Sequence, residues 1–398
     1  MESERRSVAR NHMVAKRMSD VAPFHVMEVM ARAHELEKRG RSIVHMEVGE
    51  PDFPTPPPVL AAATRALASG NLPYTLALGL PTLREAIARF YRQRYSISVD
   101  PERVVVTAGS SGALLLTMGV LVDPGAEVLL TDPGYPCNRQ FVRMMGGEPV
   151  GIEVGPTTAY QPTPELVERR WSAKTAAVLV ASPANPTGTL IEHEVLRGIG
   201  EVASRRGGWL IVDEIYHGLT YGREARTALS FSEEVFVVNS FSKYFDMTGW
   251  RLGWMVVPSA YVRDVEKLAQ NLFICPSTLA QFAALAAFEP ENIALLEERR
   301  RQFHARRDFL LPALRELGFT IPALPQGAFY LYAGCERLAR DSFSFALEIL
   351  DQAGVAVTPG LDFGENEPER HLRFAYTTSM ARLEEGVDRL GRFLGSRR

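Results

Sequence analysis

The sequence predicts an α/β fold: a large domain with a mostly parallel sheet between helices, accompanied by a smaller α+β domain. The chain has 398 residues, which is more than one simple core accommodates. Several short runs are apolar throughout, as is typical of strands buried on both faces. Helix-like segments separate these runs, and strands that alternate with helices favour a parallel sheet.

Five apolar runs are the predicted strands of the sheet. Each is rich in Val, Leu or Ile and is followed by residues that favour turns. Between them, residues 111–122 and 192–206 are predicted helices, and Gly207-Gly208 is a suitable C-cap for the second. The runs in chain order are RVVVTAG (103–109), EVLLTDPG (127–134), AAVLVASPANPTG (176–188), GWLIVDEIY (208–216) and VFVVNSFSK (235–243).

The strand pattern stops near Phe288, and this change sets the predicted domain boundary. A charged helical stretch, residues 289–318, is followed by the shorter runs GAFYLYAG and HLRFAYTT. We therefore assign residues 49–290 to the large domain, and residues 1–48, as an N-terminal arm, with 291–398 to the small domain. The arginine clusters 299–301 and 306–307 are expected on the solvated face of the helical stretch.

The composition argues against several classes of protein. With 46% hydrophobic residues and a net charge of -3, neither a nucleic acid nor a membrane is an expected partner. The N-terminus lacks a signal-peptide core and no apolar run reaches the roughly 18 residues of a membrane span, so the cytoplasm is the expected location. Cys137, Cys275 and Cys335 are far apart, and neither a disulfide framework nor a metal site is expected.

Polar residues follow each predicted strand directly. In open α/β sheets the ligand crevice lies outside the carboxyl ends of the strands, so these residues are expected to converge. Lys243 is the most unusual of them, because burial lowers the pKa of a lysine and a neutral amine can form a Schiff base. Taken alone, Lys243 is better interpreted as a salt-bridging lysine in a loop, and only the neighbouring motifs reverse this preference. The groups are Gly109-Ser110-Ser111, Asp132-Pro133-Gly134-Tyr135, Asn185-Pro186-Thr187-Gly188, Asp213-Glu214-Ile215-Tyr216 and Ser240-Phe241-Ser242-Lys243.

Together these groups supply what a pyridoxal phosphate site requires. Lys243 offers the amine for the aldehyde of the cofactor. Asp213 ends an apolar strand, where a half-buried carboxylate would face the pyridinium nitrogen. Asn185 and Tyr216 can donate hydrogen bonds to the phenolic oxygen, and Tyr135 can stack on the ring.

The phosphate group has candidate residues of its own. Residues 109–111 open a helix after a strand, so their N–H groups and the helix dipole favour an anion. Ser240, Ser242 and Arg251 add hydroxyls and a guanidinium. Each motif also has a plainer interpretation: NPTG as an ordinary turn, TAGSSGA as a helix cap and residues 213–214 as a surface turn. Their joint occurrence on five successive strand ends favours the cofactor site.

At these motifs the chain resembles the class I and II aminotransferases of the aspartate aminotransferase type, which have PLP fold type I. The likeness runs from about Val21 to about Phe393 and is specific for the superfamily but not for the substrate. It implies a seven-stranded sheet in the large domain. The motifs are GEPDFPTP, the segment from Tyr74 to Ala88 with LREAIA, TAGSSGAL, DPGYP, SPANPTG, VDEIY, SFSK and GWRLGW.

The resemblance also implies roles for single residues. Lys243 is the Schiff-base lysine, Arg373 holds the α-carboxylate of the substrate, and Gly49 contributes its backbone to the substrate site beside Asn185. Tyr74 reaches the phosphate of a neighbouring subunit, which implies a homodimer with shared active sites. An arginine inside the apolar run LRFAY is costly to bury without a carboxylate, which supports the role of Arg373. A structural ion pair is the alternative for this arginine.

The predicted reaction is transamination by a ping-pong mechanism through a Lys243 Schiff base. The amino acid displaces Lys243, whose amine then carries a proton between Cα and the cofactor. Asp213 keeps the ring cationic, and Tyr216 tunes the Schiff base. A second 2-oxo acid then takes up the amino group by the reverse path.

The substrate prediction is a neutral or hydrophobic L-amino acid, with the abundant 2-oxoglutarate as acceptor. Dicarboxylate-specific members of the family use a second basic residue, and none is identified in this sequence. Ser111 follows the glycine of the phosphate loop, and the segment VAPFHVMEVM is expected to cover the site with Phe24, Val26 and Met27. His25 is either a polar contact or an ordinary histidine.

Two other functions are compatible with parts of the pattern. A carbon–sulfur β-lyase would use the same residues, because proton removal at Cα is common to both reactions. A non-catalytic PLP-fold sensor is disfavoured, since no helix-turn-helix module is expected before Val21 and the catalytic groups are all retained. Dinucleotide binding is excluded because no GxGxxG follows a first strand.

Overall fold

The computed structural model describes residues 14–397, in which strands and helices alternate through the middle of the chain. Within this range, no helix combines the length and the apolar character that a bilayer span requires. The strands are β1 (Val44–His45), β2 (Val104–Thr107), β3 (Glu127–Asp132), β4 (Glu148–Glu153), β5 (Thr175–Ala181), β6 (Trp209–Asp213), β7 (Phe236–Ser240), β8 (Gly253–Val256), β9 (Tyr330–Gly334), β10 (Val355–Ala356), β11 (Thr358–Pro359) and β12 (His371–Ala375). The helices are α1 (His25–Lys38), α2 (Pro57–Ser69), α3 (Pro81–Tyr95), α4 (Gly109–Leu121), α5 (Pro136–Met144), α6 (Pro164–Arg170), α7 (His193–Arg205), α8 (Val262–Leu272), α9 (Thr278–Leu285), α10 (Pro290–Glu316), α11 (Ser342–Glu348) and α12 (Met380–Ser396).

A seven-stranded sheet forms the centre of the fold. Its strand order is β2-β8-β7-β6-β5-β3-β4, in which β8 runs antiparallel to both neighbours and the other adjacent pairs are parallel. Alternate residues enter two separate apolar cores: Val105 and Val238 point to one, Val106 and Val237 to the other. Both faces are therefore buried, which is why these strands are apolar throughout. The predicted fold class is confirmed.

The five predicted runs correspond to β2, β3, β5, β6 and β7. The strands β4 and β8 were not predicted, because β4 is a partly exposed edge strand with Pro149 and Gly151, and β8 has only four residues. The predicted helices are α4 and α7. The end of α7 has the expected cap: Gly207 has φ +75°, and the N–H of Gly208 donates to the carbonyl of Ala203.

A second group of elements lies outside this sheet. The strands β11, β12 and β9 form an antiparallel sheet in that order, and β1 pairs with β10 in parallel. The runs GAFYLYAG and HLRFAYTT provide β9 and β12, respectively. The domain boundaries at residues 48/49 and 290/291 stay a prediction, and residues 1–13 of the predicted arm lie outside the described residues.

The expectation that the arginine clusters are solvated holds for Arg301, which is exposed, and is wrong for three other members. Arg299, Arg306 and Arg307 are buried on α10. The Nη1 of Arg299 donates to Asp246 at 2.7 Å, and Arg306 donates to both carboxylate oxygens of Asp52 at 2.7 and 3.0 Å. Buried arginines are tolerated where oxygens satisfy their donors. The contact with Asp52 attaches α10 to the segment that follows β1, and the contact with Asp246 attaches it to the segment that follows β7.

Candidate active site

Polar residues that follow β5, β6 and β7 meet at one edge of the seven-stranded sheet. The three strands are parallel neighbours, and their register places Asp213 beside Ala181 on one side and Val238 on the other. The carboxyl ends therefore lie together, as the sequence predicted. Arg373, on β12, reaches the same place, because its guanidinium binds the side chain of Asn185.

Lys243 follows β7, and its side chain is largely enclosed. Its Nζ donates a hydrogen bond to the backbone oxygen of Gly49 at 2.7 Å and lies 5.8 Å from the ring centre of Phe329. Burial is the main cause that lowers the pKa of Lys243 to about 8, and the charges of Arg373 and Arg251 add to it. A substantial fraction of the amine is therefore neutral and nucleophilic near this pH.

Asp213 ends β6 with a buried carboxyl group. Its Oδ1 accepts a hydrogen bond from the N–H of Ile215 at 3.0 Å. Burial raises the pKa of Asp213 to about 7, although the hydrogen bond from Ile215 and the charge of Lys243 act in the opposite direction. A carboxyl group in this position becomes fully ionised when a cation lies against it. The position therefore suits a cationic ring nitrogen.

Tyr216 and Tyr330 are both buried, and 2.9 Å separates their hydroxyl oxygens. The rings meet edge to face, with centroids 5.8 Å apart. Burial raises the pKa of both hydroxyls, so each keeps one proton to donate. Tyr330 belongs to β9, and the pair joins the turn after β6 to the three-stranded sheet.

Arg373 is buried in β12, and its hydrogen bonds go to neutral oxygens. Nη1 donates to Asn185 Oδ1 at 2.9 Å, while Nη2 donates to the backbone oxygen of Glu47 at 2.6 Å and to Thr358 Oγ1 at 3.1 Å. Nε is buried without a partner among the described residues, and the Tyr330 ring centre lies 4.3 Å from Cζ. These hydrogen bonds are not those of a structural ion pair, and they leave the guanidinium charge for an incoming carboxylate.

Asp362 is a buried acid that holds the start of α1. It accepts hydrogen bonds from the first two N–H groups of that helix, those of His25 and Val26, at 2.7 and 2.9 Å. Burial raises the pKa of Asp362, and the charge of Arg373 opposes this rise, so the two residues are within electrostatic range. The predicted cover is thus placed near the candidate site. Met27, however, is 57% exposed and faces solvent in the single chain.

The first turn of α4 and Arg251 lie against each other. Gly109 has φ +70°, and a Cβ at this position would lie 3.0 Å from the guanidinium of Arg251. A side chain at residue 109 would therefore be both strained and obstructive. The N–H groups of Ser110 and Ser111 belong to the first turn, where a helix leaves its donors without internal acceptors. A helix N-terminus beside an arginine favours an anion.

The two serines after β7 contact each other. Ser240 Oγ accepts from the N–H of Ser242 at 3.1 Å and lies 2.9 Å from Ser242 Oγ. Ser240 Oγ also lies 3.1 Å from the carbonyl oxygen of Leu252, which can only accept, so Ser240 orders the turn. Tyr135 immediately precedes α5; burial raises its pKa, and the negative charge of Asp213 contributes. The Tyr135 ring is thus within range of the same carboxyl group.

Tyr74 does not join these residues. Its side chain is 80% exposed, in a segment that a 2.7 Å hydrogen bond from Thr278 Oγ1 to the backbone oxygen of Pro73 attaches to α9. Its role at the phosphate of a partner subunit stays a prediction.

Comparison with known proteins assigns the family. Residues 41–390 match the family model "Aminotransferase class I and II". The chain belongs to this family. Its relatives include a valine--pyruvate aminotransferase from Mycobacterium tuberculosis, 41% identical over 94% of this chain and 97% of that protein, and an aspartate aminotransferase from Thermotoga maritima, 35% identical over 97% and 100%.

Solved structures agree with this assignment. This aminotransferase superposes on an aminotransferase from Mycobacterium tuberculosis with a TM-score of 0.93, 40% identity and coverage of 97% and 100% of the two chains. The aspartate aminotransferase from Thermus thermophilus with maleate gives 0.91, 35% identity, 96% and 100%. Family members use pyridoxal phosphate, so the chain is a PLP-dependent aminotransferase and the cofactor prediction is confirmed.

The residues of this aminotransferase fit the cofactor. Asp213 offers a buried carboxyl group for the ring nitrogen, and the α4 N-terminus with Arg251 offers an anion site. The Oδ1 of Asn185 is occupied by Arg373, so its amide NH₂ is left to donate towards a phenolic oxygen. Tyr216 offers a second donor, whose hydroxyl lies within the electrostatic range of Arg373.

Sequence reasoning did not identify Tyr330, Glu47 or Thr358 as site residues. GAFYLYAG is identified from sequence only as a short run of the small domain, although in a strand its alternation places Tyr330 and Tyr332 on one face. Glu47 contributes a backbone oxygen, which leaves no trace in the identity of its side chain. Thr358 also supports this segment, because its hydroxyl donates to the same Glu47 oxygen at 2.7 Å.

Proposed function

We propose that this aminotransferase takes the amino group from a neutral, apolar L-amino acid and passes it to a small 2-oxo acid. The observation that carries the proposal is the buried guanidinium of Arg373, which is bonded to neutral oxygens and has an unpartnered Nε. A planar guanidinium in this state suits the α-carboxylate of an amino acid and, in the second half of the cycle, that of an oxo acid.

A neutral side chain is supported by the surroundings of Arg373. Asp362 lies within its electrostatic range, and this acid would repel a second carboxylate on the substrate. Ser111, at the start of α4, offers no positive charge. The relative named for valine and pyruvate is 41% identical, compared with 35% for an aspartate aminotransferase, which favours valine as donor and pyruvate or 2-oxoglutarate as acceptor.

Lys243 moves the proton in this proposal. Pyridoxal phosphate supplies, when bound, an aldehyde carbon for the substrate nitrogen and an electron-withdrawing ring. The Nζ of Lys243 would hold the cofactor and, as a free amine, would take the proton from the Cα of the substrate and return it later in the cycle. Its pKa of about 8 suits both tasks, because the amine can accept and return a proton near neutral pH.

The other residues hold charge and geometry. Asp213 would keep a proton on the ring nitrogen, and Tyr216 and Asn185 would donate hydrogen bonds to the phenolic oxygen. The phosphate would be held by Ser110, Ser111, Ser242 and Arg251, with room left by Gly109, and Tyr135 would pack on the ring. These contacts leave the substrate between Lys243 and Arg373.

The proposed kinetic mechanism is ping-pong. Because Arg373 is the single proposed receptor for the α-carboxylate, the two substrates use it in turn.

The proposed assembly is a homodimer. It is supported by the exposed Tyr74, which would reach the phosphate of the other subunit. A cytoplasmic location stays a prediction of the sequence.

The test is the visible absorbance of the cofactor-loaded protein while amino acids are added one at a time. The proposal expects valine to remove the cofactor band and pyruvate to restore it, without release of ammonia. Ammonia release from a β-substituted amino acid without an oxo acid would instead identify an elimination enzyme. A band that responds to no amino acid would contradict both functions.

A further inference from the structure

We infer that Tyr330 is a positioning residue for the reaction: its hydroxyl donates to Tyr216 and directs the proton of Tyr216 towards the phenolic oxygen of the cofactor. This inference rests on the proposed function, in which Tyr216 donates to that oxygen. The two hydroxyl oxygens are 2.9 Å apart, and both side chains are buried.

The direction of this hydrogen bond follows from counting protons. Each phenol has one proton, so a bond between two phenols consumes one and leaves the other. If Tyr216 donated to Tyr330, only lone pairs of Tyr216 would face the phenolic oxygen. If Tyr330 donates, the proton of Tyr216 is free for the cofactor. Tyr330 therefore decides whether Tyr216 acts as a donor or as an acceptor.

Arg373 favours the second arrangement. Its guanidinium carbon lies 4.3 Å from the ring centre of Tyr330. Burial raises the pKa of both phenols, and the charge of Arg373 opposes this rise in each; their mutual hydrogen bond, however, lowers the pKa of Tyr330 and raises that of Tyr216. A phenol beside a cation is the better donor, because the cation stabilises negative charge on its oxygen.

Gly49 keeps the hydroxyl of Tyr330 in place. A Cβ on Gly49 would lie 1.7 Å from this oxygen, so the hydroxyl sits directly against the backbone. Within residues 14–397 its one hydrogen-bond partner is Tyr216. Tyr330 thus contacts both the proposed carboxylate receptor, through its ring, and the proposed phenolate donor, through its oxygen.

The experiment is a pH titration of the visible absorbance of the cofactor-loaded protein. Tyr330→Phe keeps the ring and removes the donor. We expect the midpoint to move upward by about half a pH unit or more, because a weaker donor stabilises the phenolate less. The matched control is Tyr332→Phe on the same face of β9, whose ring stacks on His371, and it should titrate like the unsubstituted protein.

A double variant, Tyr216→Phe with Tyr330→Phe, shows whether Tyr330 changes the pH midpoint through Tyr216 or by acting directly on the cofactor. If Tyr330 acts through Tyr216, then Tyr330→Phe adds no further shift to Tyr216→Phe. The inference would be overturned if Tyr330→Phe shifted the midpoint as much in the Tyr216→Phe protein as it does alone. It would also be overturned if the single Tyr330→Phe protein titrated normally. The dissociation constant of unreactive 2-methylpropanoate should change less than about twofold, since Phe still packs on Arg373; a tenfold loss would also overturn it.

The same titration distinguishes failure of this inference from failure of the proposed function. An unsubstituted, loaded protein without a pH-dependent visible band would contradict the proposed role of Tyr216 itself. A normal band in the unsubstituted protein that Tyr330→Phe leaves unchanged would contradict only the role of Tyr330.

Discussion

The Nζ of Lys243 donates a hydrogen bond to the backbone oxygen of Gly49 at 2.7 Å. Lys243 follows β7 of the seven-stranded sheet, whereas Gly49 lies in the segment after β1. The contact therefore connects the strand that carries the proposed base to the segment that also supports Arg373 through Glu47. Base and carboxylate receptor are placed by one continuous piece of backbone.

Lys243→Ala should abolish amino transfer. The variant lacks both the cofactor attachment and the proton carrier, so we expect kcat to fall by about 10³-fold or more, with the melting temperature little changed. Steady-state kinetics with valine and pyruvate measures this. Lys267→Ala, which removes an exposed ion pair with Asp264, is the control and should keep full activity. A Lys243→Ala protein with near-normal kcat would exclude Lys243 as the base.

Arg373→Lys should weaken substrate binding more than the chemical step. Lysine lacks the planar fork, so we expect KM for the amino acid to rise about 10- to 100-fold, with a smaller change in kcat. The control is Arg370→Lys, which alters an exposed ion pair with Glu367 three residues earlier. Unchanged KM values in the Arg373 variant would mean that the carboxylate binds elsewhere.

The cofactor-free protein should lose stability as pH rises through the range set by Asp213. Folded Asp213 keeps its proton up to its pKa of about 7, whereas the unfolded carboxyl group loses it near the ordinary value of 3.8. Between these values the folded state binds more protons, so the free energy of unfolding falls with rising pH.

Asp213→Asn should remove this contribution. Melting temperatures of both proteins between pH 4 and pH 7 provide the measurement, and the difference between variant and parent should grow in favour of the variant as pH rises. Other buried acids whose pKa does not depend on Asp213, such as Asp246 with its pKa of about 7, are present in both proteins and cancel. If the melting temperatures of the two proteins changed in parallel with pH, Asp213 would be ionised in the folded protein.

Gly49→Ala should displace Tyr330. The added Cβ would lie 1.7 Å from the hydroxyl oxygen, so the ring must move and the contact with Tyr216 is lost. We expect a loss of about 1–3 kcal/mol in stability from overpacking, together with a large fall in kcat/KM. Gly155→Ala, where a Cβ meets no atom within 4 Å, is the control. An active, stable Gly49 variant would contradict the close approach.

Arg306→Met should destabilise the fold, although α10 is rich in charged residues and such helices are usually exposed. Arg306 is buried and binds Asp52 with two hydrogen bonds, whereas Asp52 is partly exposed. We therefore expect a loss of about 2–3 kcal/mol in chemical denaturation. Arg301→Met removes an exposed pair with Glu298 and should cost less than about 1 kcal/mol. Equal effects would contradict the buried role of Arg306.

The sheet and the edge where its polar residues meet were predictable, because both follow from local patterns. Runs such as GWLIVD are apolar throughout only when both faces are covered, and parallel strands bring their carboxyl ends together whatever their separation in sequence. Asp213, Asn185 and Lys243 could therefore be placed side by side before their geometry was known. The pattern of side chains did not predict the hydrogen-bond partners of these three residues.

The remaining contacts depend on backbone atoms and on packing between distant segments. Glu47 supports Arg373 with its carbonyl oxygen, and any residue could supply that atom. The clusters on α10 look solvated in sequence because arginine is usually exposed, and only the fold reveals that Arg306 meets Asp52. The role of Tyr74 stays a prediction from the family resemblance, because its side chain is exposed and away from the residues around Lys243.

The two walls of the candidate site are anchored very differently. On one side, Arg306 binds Asp52 and Arg299 donates to the backbone oxygen of Pro54, which attaches this wall to the long helix α10. On the other side, the first two N–H groups of α1 are held by one carboxyl group, that of Asp362, and the His25 ring packs edge to face on Phe343. Laboratory evolution of a new substrate range should thus begin with residues 21–27, where exchanges leave buried guanidinium contacts untouched.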